Sequence, residues 1–257
     1  MTRQTSHEAA PLLGRVVVVT GGGIHLGAAY SRDLARRGAH VVVADLNDTS
    51  ELVAELKDEG LTAIGSRIDV TDPTTLTAMV DDAVAAFGRI DGLVNNAGYF
   101  RNAFRGPVED ISDVEWTKCF DINVRGTWNA IKAVLPTFKA AGYGKIVNVS
   151  SATSFKGLPE MAHYVSSKAA VVGLTRGLAK ELGEFNICVN TLAPDYVPDE
   201  AMDERRSAPK VRAVQARCIQ RNQTPDDLVG TVAYLCGPGS DFVTGQTLHV
   251  NGGAYLS

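Results

Sequence analysis

"TGGGIHLGAAY", residues 20–30, follows directly on the apolar run "RVVVVT" of 15–20. A β-branched run without polar alternation is expected of a strand covered on both faces. "LGAAYSRDLARRG" (26–38) then places Leu26, Ala29, Tyr30 and Leu34 at helical spacing and stops at Gly38. A strand, a glycine turn and a helix in that order aim backbone N–H groups and a helix N-terminus at one point. Both attract anions, and a pyrophosphate is the natural ligand there. A Gly-rich turn also fits a tight turn with no ligand. His25 stands where a further glycine is expected, and histidine is among the residues that tolerate a positive φ.

The alternation repeats outward from this unit. Strands are expected at 40–46, 62–70, 92–98, 144–151, 186–194 and 246–253, the last being "QTLHVNGG". Helical stretches fall between them at 49–60, 72–87, 112–140 (two segments), 162–184 and 224–237. Thr224, Pro225 and the acidic pair after them make a strong helix start. Strands alternating with helices imply parallel strands joined by right-handed crossovers. The expected fold class is α/β: a single-domain Rossmann-like, doubly wound parallel sheet of about seven strands, with helices on both faces. Residues 1–13 read as a loose arm and 14–257 as the domain.

The chain has 257 residues, 45% apolar and 21% charged, with a formal net charge of −4. The charge gives no electrostatic reason for a nucleic acid or an anionic membrane as partner. No apolar run reaches the ~18 residues of a membrane span. The first residues lack the apolar stretch of a signal peptide, so the expected location is cytoplasmic. Four widely spaced cysteines (Cys119, Cys188, Cys218, Cys236) read as reduced thiols, and no metal site is expected.

Polar residues gather at the strand ends. Asp45 closes the second strand, 18 residues after Gly27, near the spacing at which a carboxylate reaches the ribose hydroxyls of an adenosine. A carboxylate there repels a 2′-phosphate, which favours NAD over NADP. Asp69 closes the third strand, placed to meet an adenine edge. Asn95, Asn96, Ala97 and Gly98 close the fourth: two amides, then two small residues that let a flat ring approach the backbone.

With these residues in view, the chain resembles the short-chain dehydrogenase/reductase family. Thr20, Gly21 and Gly27 match its TGxxxGxG turn, "NNAG" at 95–98 its fourth strand end, Asn123 in "DINVRGT" its helix asparagine, Ser151 in "NVSS" its serine, and Tyr164 with Lys168 in "YVSSK" its YxxxK helix. The motifs occur in the family's order and the match runs from about residue 13 to 254. The resemblance implies an NAD(H)-dependent oxidoreductase interconverting a small-molecule secondary alcohol and a ketone. Cofactor contacts are expected from Gly21, Gly23, Ile24, His25 and Leu26, from Asp45 and Leu46, and from Asp69 and Val70. They are expected further from Asn96, Ala97, Gly98, Tyr164, Lys168, Pro194 and Val197. It implies a homotetramer packed through the helices near 112–140 and 162–184 and the last strand. A non-catalytic nucleotide-binding regulator and a non-redox lyase or epimerase remain alternatives on the same scaffold.

The catalytic set is expected to be Asn123, Ser151, Tyr164 and Lys168. Tyr164 and Lys168 are four apart, so they share a helix face. A free tyrosine, with a pKa of about 10, is a poor base at neutral pH. A lysine ammonium nearby is expected to lower it. Tyr164 then takes the hydroxyl proton in oxidation and returns it in reduction. Ser151, thirteen residues earlier, can hydrogen-bond the substrate oxygen as charge develops. By the resemblance, Asn123 fixes a local break in its helix and holds a water linking Lys168 to solvent, and Lys168 also binds the nicotinamide ribose.

Three positions depart from the family pattern: His25, Asp195 after Pro194 where the family has glycine, and Asp199 where it often has threonine. The segment 195–222 is charged, and by the resemblance covers the substrate. Its six basic residues, with Arg101, Arg105 and Lys156, fit either an anionic substrate or a solvated face.

Overall fold

The valine run forms β1 (Val16–Thr20), buried along its whole length. Its side chains divide by parity, as a pleated strand requires. Val17 and Val19 enter one apolar cluster and Val16 and Val18 the other. The computed structural model describes residues 11–198 and 213–256. Around β1 lie β2 (His40–Asp45), β3 (Ala63–Arg67), β4 (Gly92–Asn95), β5 (Gly144–Val149), β6 (Ile187–Pro194) and β7 (Thr247–Val250). They make one seven-stranded sheet in the order β3-β2-β1-β4-β5-β6-β7, every pairing parallel. The doubly wound reading therefore holds.

Helices cover both faces. On the first face are α1 (His25–Arg36), α2 (Ser50–Asp58) and α8 (Asp226–Cys236), through Tyr30, Leu34, Leu52, Leu56, Leu228 and Val232. On the second are α3 (Pro73–Phe87), α5 (Gly126–Ala141) and α7 (Ala162–Leu182), through Leu76, Met79, Ile131, Val134, Phe138 and Leu182. Each such side chain contributes roughly 1.5–3 kcal/mol on full burial. α4 (Asp113–Phe120) starts at Ser112, whose hydroxyl accepts the Glu115 N–H. The short α6 (Thr153–Lys156) lies between β5 and α7, where no helix is expected from the sequence.

The strand order reverses between β1 and β4, which opens a crevice beyond their carboxyl ends, the usual ligand position in open α/β sheets. Beneath it runs a buried polar chain. Asn95 Nδ2 donates to Asn148 Oδ1 (2.9 Å), Asn148 Nδ2 to Thr175 Oγ1 (2.9 Å), and Thr191 Oγ1 to Thr175 Oγ1 (2.8 Å). It links β4, β5 and β6 to α7.

Two expectations change. β3 ends at Arg67, so Asp69 and Val70 lie in the turn beyond it. The described part of the arm is not loose: Leu12 is fully buried and its N–H bonds the Arg37 carbonyl at 3.2 Å. Asp199 lies outside the described residues, as does the rest of 199–212, half of the 195–222 segment. Among the described residues no helix is long and apolar enough to cross a membrane. They contain no cluster of His, Cys, Asp or Glu able to hold a metal ion, and all four cysteines are free.

Candidate active site

A cleft of about 1640 Å³ opens over the carboxyl ends of the strands. Its floor at one end is the glycine turn. Gly21 takes φ +60°, and a Cβ there would lie 2.9 Å from Ala97 Cα. At Gly27 a Cβ would lie 1.8 Å from the Gly21 carbonyl oxygen, so only glycine lets α1 begin this close to the turn. Asn96 Nδ2 donates to that same carbonyl at 2.9 Å, tying the turn to the end of β4. His25 is exposed and takes φ +50°, so the imidazole residue adopts the backbone conformation of the glycine it stands in for.

Ile24, Leu26, Asp45, Leu46, Asp69, Val70, Asn96, Ala97 and Gly98 line the cleft with Gly21 and His25, as do Pro194 and Val197 at its far end. Gly23 does not line it. Its N–H is turned away, onto Asp45 Oδ2 at 2.9 Å. Asp45 is buried, and its other oxygen accepts from both the N–H and the side-chain amide of Asn47 (2.9 Å each). Asn47 itself lines the cleft; sequence reasoning stopped at Leu46 and missed it. Its signal is an amide two residues beyond a strand-end carboxylate, the spacing of an Asx turn. Asp69 Oδ1 accepts from the Thr71 N–H and hydroxyl.

The residues expected to handle the proton lie at the other end of the crevice. Tyr164 and Lys168 project from one face of α7 into the cleft, both buried. Lys168 Nζ donates to the Val149 carbonyl at 2.8 Å. Ser151 also lines the cleft, beside Tyr164 and Lys168. The Thr153 N–H and hydroxyl donate to Ser151 Oγ (3.2 and 2.9 Å), which fixes its rotamer. Ser150 faces the helix instead. Its hydroxyl donates to the Lys168 carbonyl at 2.7 Å and holds α7 against β5.

Asn123 does not reach the cleft surface. It sits fully buried in a π-helical turn, Asp121–Arg125, between α4 and α5, so the expected helix break is present. Its Oδ1 accepts the Tyr99 N–H at 2.6 Å and its Nδ2 donates to Ser167 Oγ at 2.9 Å. Gly98 lies between it and Lys168: a Cβ there would be 3.3 Å from Asn123 Oδ1 and from Lys168 Nζ.

The expected lowering of the tyrosine pKa by Lys168 is not met by the protein frame. Burial pushes the Tyr164 phenol up to about 12, while the Ser151 hydroxyl and the Arg105 guanidinium act the other way. The same burial pushes Lys168 down to about 8. At neutral pH Tyr164 is therefore held as the phenol, ready to donate.

Asp195, a departure from the family pattern, faces inward. It is buried, with Lys156 Nζ 2.5 Å from Oδ1 and Arg217 Nε 3.1 Å from Oδ2. Arg217 is buried as well, so neither an anion site nor a solvated face describes it. Arg101 and Arg105 line the cleft, Arg105 with its guanidinium 4.9 Å from the Phe100 ring centre, which in turn packs 4.9 Å from the Tyr164 ring.

A nicotinamide dinucleotide fits these residues. The glycine cradle admits backbone against a pyrophosphate, Asp45 closes the neighbouring strand on the ribose side, and Ala97 and Gly98 leave a flat path to Tyr164. Comparison with known proteins agrees. The family model described as enoyl-(acyl carrier protein) reductase matches residues 23–255. A short-chain reductase protein, NovJ, of Streptomyces niveus is 36% identical over 255 residues, covering 96% of each chain. A 3-oxoacyl-[acyl-carrier-protein] reductase, FabG, of Staphylococcus aureus is 33% identical, covering 93% of this chain and 97% of its own. A gluconate 5-dehydrogenase from Burkholderia cenocepacia, solved with NADP and tartrate, superposes with a TM-score of 0.90 at 33% identity, covering 96% of this chain and 97% of its own. The chain belongs to the short-chain dehydrogenase/reductase family of oxidoreductases.

Proposed function

We propose that the protein is an NAD(H)-dependent oxidoreductase that interconverts a secondary alcohol and a ketone. The observation that carries this reading is the meeting of Ser151, Tyr164 and Lys168 in one cleft with the glycine turn and Asp45. Gly21, Asp45, Asn96, Gly98 and Lys168 would hold the cofactor, which when bound supplies or accepts the hydride. Tyr164 Oη gives its proton to the substrate oxygen in reduction and takes it back in oxidation. Ser151 Oγ hydrogen-bonds that oxygen as it gains charge, where one such donor contributes about 10²–10³ in rate. Lys168, anchored on the Val149 carbonyl, holds positive charge near the phenol's side of the cleft, and Asn123 holds the backbone around Gly98 and Tyr99 in place.

Asp45 supports NAD rather than NADP. Its carboxylate is buried at the position a 2′-phosphate would approach, and like charges brought together cost several kcal/mol. The NADP-bound relative makes it necessary to measure both cofactors. A non-catalytic regulator has no need of Ser151, Tyr164 and Lys168 together in the cleft. A second substrate reading, a 3-oxoacyl thioester, draws on the reductase relatives and on the apolar wall of Phe100, Leu158 and Pro159.

The test follows NADH and NADPH formation over a panel of secondary alcohols that includes gluconate and a 3-hydroxyacyl thioester. Turnover with NAD and its loss in Tyr164→Phe are expected. Equal turnover by parent and variant would sink the mechanism. Cofactor binding with no turnover across the panel would favour the regulator.

A further inference from the structure

The ion cluster at Asp195 joins parts of the cleft that otherwise come from distant stretches of chain. Asp195 follows the last residue of β6, and its side chain is 3% exposed. Lys156 closes the short helix α6, and Thr153 at the other end of that helix holds Ser151 Oγ through its N–H and Oγ1. The Ala152 N–H donates to the Pro194 carbonyl at 2.7 Å. The Ser151 segment is thus pinned to the end of β6 twice, once through backbone and once through the Lys156–Asp195 pair.

Arg217 makes the third connection. Its Nε pairs with Asp195 Oδ2, its Nη2 donates to the Tyr196 carbonyl at 2.6 Å, and its Nη1 to the Arg221 carbonyl at 2.9 Å. The planar fork of a guanidinium suits this arrangement, and an ammonium cannot reproduce it. Gln223 closes the frame: its Oε1 accepts the Asp195 N–H at 3.1 Å and its Nε2 donates to the Val250 carbonyl at 2.6 Å. One buried carboxylate therefore faces two cations, and both of its oxygens are engaged.

We propose that Asp195 is a positioning residue for the reaction. Through Lys156 it sets where the Ser151 segment stands, and through Arg217 it sets the course of the backbone from Pro194 to Val197, at the end of the cleft far from the glycine turn. The aspartate in place of the family's glycine thus keeps the substrate-oxygen donor and the far wall of the cofactor site at a fixed spacing. The inference rests on the oxidoreductase reading for its kinetic readout alone.

The test compares Lys156→Gln, Asp195→Asn, Arg217→Lys and the Lys156→Gln/Asp195→Asn double variant with the parent. Measured are thermal midpoints, NADH and NADPH dissociation constants by fluorescence titration, and kcat and KM with the best alcohol of the panel. A displacement of about 1 Å at a reacting centre costs on the order of 10²-fold in rate, and Asp195→Asn is expected to lose about that much in kcat/KM. Lys156, whose side chain is 27% exposed, sits at the rim. Lys156→Gln is therefore expected to keep a thermal midpoint close to the parent's and still lose roughly tenfold in kcat, since its partner acts on Ser151 placement. The double variant should be no slower than Asp195→Asn, the non-additivity of residues acting as one unit. Arg217→Lys should weaken reduced-cofactor binding by about tenfold while keeping the charge.

A purely structural cluster would lower the midpoints and leave these constants alone. Lys156→Gln with kcat and KM within about twofold of the parent, or an Arg217→Lys protein that binds cofactor as the parent does, overturns the proposal. If Asp195→Asn does not fold, those two variants decide. A parent with no turnover on the panel refutes the substrate reading instead, and Arg217→Lys must still weaken cofactor binding.

Discussion

Gly27→Ala adds one methyl group at the first turn of α1. That Cβ would stand 1.8 Å from the Gly21 carbonyl oxygen, 2.7 Å from its carbon and 2.8 Å from Asn96 Nδ2. Ordinary contact begins at 3.4 Å, so helix and turn must part by about 1.6 Å (3.4 less 1.8). Both crowded groups are fixed, the carbonyl by backbone and the amide by its 2.9 Å bond to that carbonyl. Overpacking of a tight site costs about 1–3 kcal/mol, which for a chain of this size lowers the thermal midpoint by roughly 2–12 °C. The same movement spoils the cradle, so the NADH dissociation constant should rise at least about tenfold. Gly230→Ala is the control. It lies inside α8 with nothing within 4 Å of its added Cβ, and should gain roughly 0.5–1 kcal/mol from helix propensity. The assay is a pair of melting curves and fluorescence titrations on both variants. A Gly27→Ala protein that melts and binds as the parent does would refute the close-approach reasoning.

His25→Gly should leave NADH affinity unchanged or improve it, because φ +50° suits glycine; a large loss on titration would mean that the imidazole makes a specific contact. Asp45→Ser should raise the NADPH-to-NADH preference by at least about tenfold, and an unchanged preference would remove Asp45 as the selector. Lys168 gives a pH signature. Its folded pKa, about 8, lies below its ordinary 10.5, so between those values the unfolded chain binds more protons and stability rises with pH. Below about pH 8 the burial of its charge is a standing cost. Lys168→Met should remove the rise between about pH 8 and 10, seen as denaturant midpoints at the two pH values, and a rise of the same size in the variant would assign it elsewhere.

The features legible in the sequence were those set by neighbours along the chain. Four valines in a row need cover on both faces, and Tyr164 and Lys168 share a helix face by spacing alone. Gly21 and Gly27 mark a turn by composition, and the asparagines at 95–96 mark a strand end. What the sequence concealed depends on partners far away in the chain. Asp195 reads only as a departure from the family's glycine until Lys156 and Arg217, 39 and 22 residues distant, are seen on its two oxygens. Gly23 reads as a phosphate-facing glycine, but its N–H is taken by Asp45, 22 residues on. The pKa of Tyr164 depends on how deeply the folded chain buries it, which spacing does not report. Leu12 reads as part of a loose arm because nothing local shows the pocket beside α1 that receives it.

The polar chain under the crevice has a further consequence. Apolar contacts between a helix and a sheet are nearly indifferent to a small slide along the helix axis, since one methyl group serves as well as the next. A hydrogen bond is not, and a one-residue advance of a helix is about 1.5 Å, enough to break the Asn148–Thr175 bond. Thr175 lies seven residues, close to two helical turns, beyond Lys168 on the same helix. The height of Tyr164 and Lys168 above the sheet is therefore gauged by two amides and two hydroxyls in the core, much as a dowel locates a part that glue alone would let drift. Replacing that chain with apolar residues of equal volume would give a protein that folds and melts much like its parent but holds its chemistry out of register, so that stability and precision at this site are separate properties set by different atoms.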